Sequence, residues 1–177
     1  MRSIYLVMSQ TGSILSKAIK HVTGDEYNHI SISLDDKLNC MYSFGRKYPN
    51  VPFIGVFVVE DINRGTFEKF SETKCKVIEV QLTDEQYKLV RFNIGKMLID
   101  QEKYKYNLLG LFMALFNIEI HSKTKFYCSE FVRYILEQSN VDVSNISTIP
   151  HPVEFEQIGC RDVYEGPMKT YSLKRSI

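Results

Sequence analysis

The sequence has no Cys-x-x-Cys pair, no histidine pair at metal-ligand spacing, no excess of either charge and no apolar run that reaches membrane-spanning length. Each absence removes a class of function. Its four cysteines, Cys40, Cys75, Cys128 and Cys160, are spread through 177 residues. That spacing fits neither a zinc knuckle nor the disulfide framework of a small secreted domain, so free thiols are expected and no metal or other cofactor is implied. Lysine plus arginine is 22 against 21 for aspartate plus glutamate, a net charge of +1. Such a balance offers no general attraction to nucleic acid or to a membrane surface. Near the N-terminus Ile4 to Met8 is apolar for only five residues before Ser9-Gln10-Thr11, short of a signal-peptide core, and a cytoplasmic location is expected. Asn107 to Ile118 is apolar nearly all round but only twelve residues long. Spanning a bilayer takes about 20 residues, so this stretch reads as a buried helix.

A hydrophobic content of 44% with 24% charged residues is enough for one domain, residues 1–177, with a real core. No repeat, low-complexity tract or linker divides it. Ile4 to Met8 reads as a buried strand, and Thr11-Gly12-Ser13 as a turn and cap for a helix with Ile14, Leu15, Ala18, Ile19 and Val22 facing inward. Tyr27 to Leu34 alternates Ile30, Ile32 and Leu34 with His29, Ser31 and Ser33, the period of a strand with one apolar face. A turn at Asp35-Asp36-Lys37 leads to a return strand, Leu38 to Phe44. Further strands are expected over Phe53 to Glu60, Thr66 to Phe70 and Cys75 to Leu82. Thr83-Asp84-Glu85-Gln86 is a capping box for a helix through Tyr87, Val90, Ile94, Met97 and Leu98. The Cys128 helix follows, then a short turn or helix after Pro150-His151-Pro152, and an edge strand at Asp162-Val163-Tyr164. The order predicts an α+β fold, an antiparallel sheet packed against helices.

Cys128 lies in Phe126-Tyr127-Cys128-Ser129-Glu130-Phe131-Val132, at the first turn of a helix whose Phe131, Val132, Ile135 and Leu136 mark one face. A cysteine in the first turn meets the unsatisfied N–H groups and positive dipole end that favour a thiolate. It can equally be a small packed residue, and a base must decide between the two. His29, on the polar face of its strand, is the best candidate; His21, His121 and His151 are weaker. If Leu34 pairs with Leu38, then Ser43 falls opposite His29 and Cys40 faces the core.

Together Asn28-His29-Ile30-Ser31-Ile32, Met41-Tyr42-Ser43-Phe44-Gly45-Arg46, Tyr106-Asn107-Leu108-Leu109-Gly110 and Phe126 to Val132 resemble the circularly permuted papain-like amidases of the YaeF/YiiX type. These are a branch of the NlpC-like superfamily that is also similar to the lecithin-retinol acyltransferase group. The resemblance covers Ile4 to Tyr164. It implies a circularly permuted papain-like fold with Cys128 as nucleophile and His29 as general base, and a polar residue on the following strand to orient the imidazole. The expected register offers Ser43, with Asn39 or a backbone carbonyl as alternatives, where relatives carry a carboxylate, amide or second histidine. Ser9, Gln10 and Tyr127 are candidates for contact with substrate beside an oxyanion hole at the Cys128 N–H. The implied activity is that of a cysteine hydrolase or acyltransferase on an amide or ester of a small-molecule, peptide or lipid substrate. The rival readings are a non-catalytic ligand-binding module with the same pocket and a membrane-associated acyl-lipid enzyme.

Overall fold

The computed structural model describes residues 1–48, 51–120 and 122–175. Its strands are β1 (Arg2–Gln10), β2 (His29–Ser33), β3 (Met41–Tyr48), β4 (Val51–Glu60), β5 (Lys74–Leu82), the two-residue β6 (Lys105–Tyr106) and β7 (Lys125–Phe126), and β8 (Cys160–Pro167). Six of them form one antiparallel sheet in the order β4-β3-β2-β1-β5-β8, while β6 and β7 pair in parallel outside it. The helices are α1 (Ile14–Thr23), α2 (Gly65–Lys69), α3 (Asp84–Ile99), α4 (Leu108–Ala114), α5 (Cys128–Glu137) and α6 (Met168–Arg175). The fold is α+β.

Because β1 is central, both its faces must be apolar. Ile4, Leu6 and Met8 enter a core with Ile30 and Ile32, covered by α3 and α5, whereas Val7 joins Met41, Cys75 and Val77 in a second core closed by Phe67 of α2 and by Met168 and Tyr171 of α6. Phe131, Val132, Ile135 and Leu136 of α5 are fully buried in the first core. There Phe131 meets the rings of Phe44 and Phe57, with centroids 5.7 and 5.5 Å away. This packing fixes the axis of α5 and therefore the position of its first residue, Cys128. The capping box of α3 is present, with Gln86 N–H donating to Thr83 Oγ1 and Thr83 N–H to Gln86 Oε1.

Five details differ from the sequence-based expectation. The β2–β3 connection is longer than a three-residue turn: Leu38 takes a left-handed backbone (φ 56°) and is buried in the second core instead of continuing a strand. Cys40 is consequently exposed rather than packed. Gly65 to Lys69 is helical, not extended, and sends Phe67 into the core. In α1 Leu15, Ser16, Ile19 and Thr23 turn inward, while Ile14, Ala18 and Val22 are exposed. The cause is a tether: Asn28 Nδ2 donates to the Ser16 carbonyl, and Ser16 Oγ to Asn28 Oδ1, which sets the roll of the helix against β2. The apolar stretch from Asn107 forms only the short α4, with Leu109 and Phe112 exposed and Phe116 and Ile118 exposed beyond it. Among the described residues, no helix is long and apolar enough to cross a membrane.

Candidate active site

Cys128 is the first residue of α5, a ten-residue helix. An N-terminal position leaves the first-turn N–H groups without intrahelical acceptors. Glu130 Oε2 accepts from the Tyr127 N–H at 3.0 Å and from Asn107 Nδ2 at 3.3 Å, so it ties the start of α5 to the start of α4. Asn107 in turn caps α4, its Oδ1 accepting from Gly110 N–H at 2.9 Å. A Cβ at Gly110 would lie 2.1 Å from Asn107 Nδ2, so only glycine admits that cap. Cys128 is buried among protein atoms but lines two adjoining clefts, one shared with His29 and Arg46, the other with Tyr127 and His151. The first has a free volume of about 70 Å³, enough for the few atoms of a reacting carbonyl group, with the remainder of a substrate outside.

The His29 imidazole faces the Cys128 thiol, and the two interact through their side chains. Nε2 of His29 lies 2.9 and 3.1 Å from the two carboxylate oxygens of Glu60, at the end of β4. Nδ1 is therefore the nitrogen left for the thiol. Glu60 is itself held by Ser31, whose Oγ donates to Oε2 at 2.5 Å. Thiol, imidazole and carboxylate thus form a chain in which the carboxylate fixes the ring's tautomer and orientation.

The position expected of Ser43 is taken by Glu60. The observed register pairs Ile32 with Tyr42 and Ser33 with Met41, two residues away from the predicted one. Continued along the strands, it sets Ser43 beside Ser31 and Gly45 beside His29. Ser43 Oγ donates to the Ile30 carbonyl at 2.7 Å and is fully buried, so it braces the sheet and does not touch the ring. Asn39 is likewise elsewhere, bonded to Asp35 in the connecting loop. Opposite His29 a glycine leaves room for the ion pair, since a Cβ on Gly45 would stand 3.2 Å from Glu60 Oε1 and 3.5 Å from His29 Cε1. The slip of register hid Glu60. The visible signal was a single carboxylate closing the otherwise apolar run Phe53 to Val59.

Electrostatically the cluster favours an ion pair. Burial opposes the charge on His29, but the Glu60 carboxylate and the Cys128 thiolate outweigh it and raise the imidazole to about 10. Burial also opposes ionisation of Cys128. The facing His29 imidazole and its positive charge, the Ile30 N–H and the Ser129 hydroxyl together bring the thiol below its ordinary range. By contrast burial alone pushes Cys75 up to about 12. Of the two buried thiols, only Cys128 is shifted toward the thiolate.

Of the expected substrate contacts, Tyr127 lines the second cleft, as the residue that precedes Cys128. Ser9 pairs with His29 across β1 and β2 but is fully buried, its Oγ without a hydrogen-bond partner, and Gln10 pairs with Lys74. The residue of this segment that reaches the Cys128 cleft is Thr11. Tyr106 closes the cleft from β6, its ring against β4 at Gly55, where a Cβ would lie 2.3 Å from Tyr106 Cγ. His151 bonds Asp25 at 2.5 Å across the second cleft, His21 is exposed on α1, and His121 lies outside the described residues. No group of histidine, cysteine, aspartate and glutamate among the described residues has the geometry to hold a metal ion. Comparison with known proteins finds no match: no protein family, no curated protein and no solved structure is significantly similar to this chain.

Proposed function

We propose that this protein is a cysteine hydrolase or acyltransferase that cleaves an amide or ester through an acyl-thiol intermediate, in a circularly permuted papain-like arrangement resembling that of the NlpC-like superfamily. The observation that carries the reading is the Cys128–His29–Glu60 chain, a thiol at a helix N-terminus with a base whose second nitrogen rests on a carboxylate. The order of the parts, with the histidine strand ahead of the cysteine helix, is that of the permuted group. In this mechanism the Cys128 thiolate attacks the substrate carbonyl, and the tetrahedral oxyanion is received by the Cys128 N–H at the start of α5. His29, as imidazolium, gives its proton to the departing amine or alcohol, leaving the acyl group on sulfur. It then takes a proton from water, or from an acceptor alcohol or amine, as that nucleophile attacks the thioester and frees the thiol. Glu60 keeps the ring oriented and stabilises its charge in both halves. The rival reading is a binding module without catalysis; the Glu60 carboxylate against the imidazole favours the enzyme.

A small activated ester tests the reading. Incubation with p-nitrophenyl acetate is expected to release a burst of nitrophenol and to leave one acetyl group on the peptide that contains Cys128, found by mass spectrometry of acid-quenched samples. Acetylation spread over the exposed Cys40 and the lysines, with none on Cys128, would refute it.

A further inference from the structure

The wall of the Cys128 cleft carries a positive charge that the proposed chemistry does not use. Arg46, on β3, lines this cleft together with Cys128 and His29, and it is half-buried. Its Nη2 donates to Ser13 Oγ at 2.5 Å, and its guanidinium carbon stands 5.6 Å from the centre of the Phe70 ring. Ser13 is the N-cap of the ten-residue helix α1, its Oγ also accepting from Ser16 N–H at 3.3 Å. The guanidinium is therefore pressed against the positive end of a helix dipole, where the first N–H groups, those of Ile14 and Leu15, have no acceptor within the helix. A cation placed there is repelled, and an anion is attracted by both.

Among the described residues no carboxylate pairs with Arg46, and burial lowers its pKa with only the Tyr106 phenol acting in the other direction. Glu60 borders the same cleft, but its oxygens are taken by His29 and Ser31. Tyr106 lines the same cleft and interacts electrostatically with both Arg46 and Cys128. The hydroxyl of Thr11, at 3.1 Å from Ser13 Oγ, adds a polar group at the same rim.

We infer that Arg46 and the first turn of α1 form an anion site, which holds a carboxylate or phosphate group of the substrate while the scissile acyl carbon lies at Cys128. This deepens the proposed function, since it names the substrate class as an acyl compound carrying an anionic substituent. It rests on that reading only for the placement of the acyl group. The guanidinium fork matches two anionic oxygens, and the helix N–H groups supply further donors to the same group. Arg46 is in this account a specificity-determining residue that touches substrate but not the reacting bond.

Two measurements test it together. Bromoacetyl derivatives of glycine, β-alanine and γ-aminobutyrate, and of phosphoethanolamine, are compared with their neutral amide or alcohol counterparts as alkylating agents for Cys128. The expected result is that at least one anionic member reacts about threefold to fivefold faster than its neutral partner, and that Arg46→Gln brings this ratio close to one while Arg46→Lys keeps part of it. Whether carboxylate or phosphate gives the larger ratio identifies the group. The second measurement does not need a reactive thiol. Inorganic phosphate is titrated against Cys128→Ala at constant ionic strength, and the melting temperature is expected to rise; in Cys128→Ala/Arg46→Gln it should stay flat. Ratios near one for every pair in the wild type, or a phosphate-induced rise that persists without Arg46, would overturn the anion site. A phosphate response that needs Arg46, in a protein whose Cys128 is no more reactive than Cys40, would leave the site standing and remove the catalytic reading instead.

Discussion

Replacing His29 by glutamine is expected to slow alkylation of Cys128 by iodoacetamide at pH 7 by about thirtyfold, with the protein still folded. Glutamine retains a polar group that can bond Glu60 and Ser31 but cannot carry the charge that sustains the thiolate. Without that charge Cys128 reverts at best to an ordinary thiol, with a pKa of about 8.5 and about 3% thiolate at pH 7. Burial of the sulfur opposes ionisation further, while the less acidic thiolate that remains is intrinsically more nucleophilic, so the two effects offset each other and about thirtyfold stands as the net expectation. His29 begins β2 at the rim of the cleft and takes no part in either apolar core, which is why the fold should tolerate the change. Rates are read from the modified Cys128 peptide, with the exposed Cys40 as internal reference, and a thermal melt checks folding. A folded His29→Gln protein whose Cys128 reacts as fast as the wild type would show that the histidine does not sustain the thiolate.

Glu60→Gln should produce the second largest loss, about tenfold in ester turnover and in thiolate reactivity at neutral pH. The substitution preserves shape and hydrogen-bonding capacity while deleting the charge that does most to offset the desolvation of the imidazolium. A factor of ten corresponds to about 1.4 kcal/mol, a modest share for a close, half-buried ion pair. The pH dependence of stability has a definite sign. His29 in the folded protein lies near 10, against about 6.5 in an unfolded chain. Its contribution is fully present below the unfolded value and is lost as pH rises through the folded one. In Glu60→Gln the folded value falls, so the loss should begin at lower pH, visible as an earlier decline of melting temperature in the alkaline range. Ser43→Ala is the matched control. It removes the bond to the Ile30 carbonyl at a cost of about 1 kcal/mol of stability and leaves the reactivity of Cys128 intact. If Ser43→Ala affects reactivity and Glu60→Gln does not, the assignment of the orienting group is reversed.

Periodicity carried the secondary structure because it reports burial directly. The alternation around Ile30 and Ile32 and the helical face from Phe131 to Leu136 each point where the residues suggest. Cys128 and His29 were legible for the same reason, as polar or reactive residues at the margins of strongly patterned elements. What escaped depends on distances that a pattern does not encode. A connection two residues different from the one assumed keeps the paired side chains of β2 and β3 on their faces yet changes each cross-strand neighbour, so Ser43 was placed beside His29 in the seat that Gly45 holds. Glu60 reaches the ring from two strands away, across the space that the glycine leaves open. In α1 and α4 apolar composition outruns the surface available to cover it, and Ile14, Val22, Leu109 and Phe112 remain exposed. Periodicity records which residues can be buried, not which neighbours arrive to bury them.

The most direct test of the Cys128–His29–Glu60 chain is the pH dependence of iodoacetamide labelling, resolved for each of the four cysteines between pH 4 and pH 10. The account predicts that Cys128 reaches its plateau rate at a pH well below that of exposed Cys40, and that buried Cys75, whose thiol is pushed up to about 12, stays unlabelled across the range. A Cys128 profile that rises together with that of Cys40, or only above it, would contradict the existence of the ion pair and with it the nucleophile.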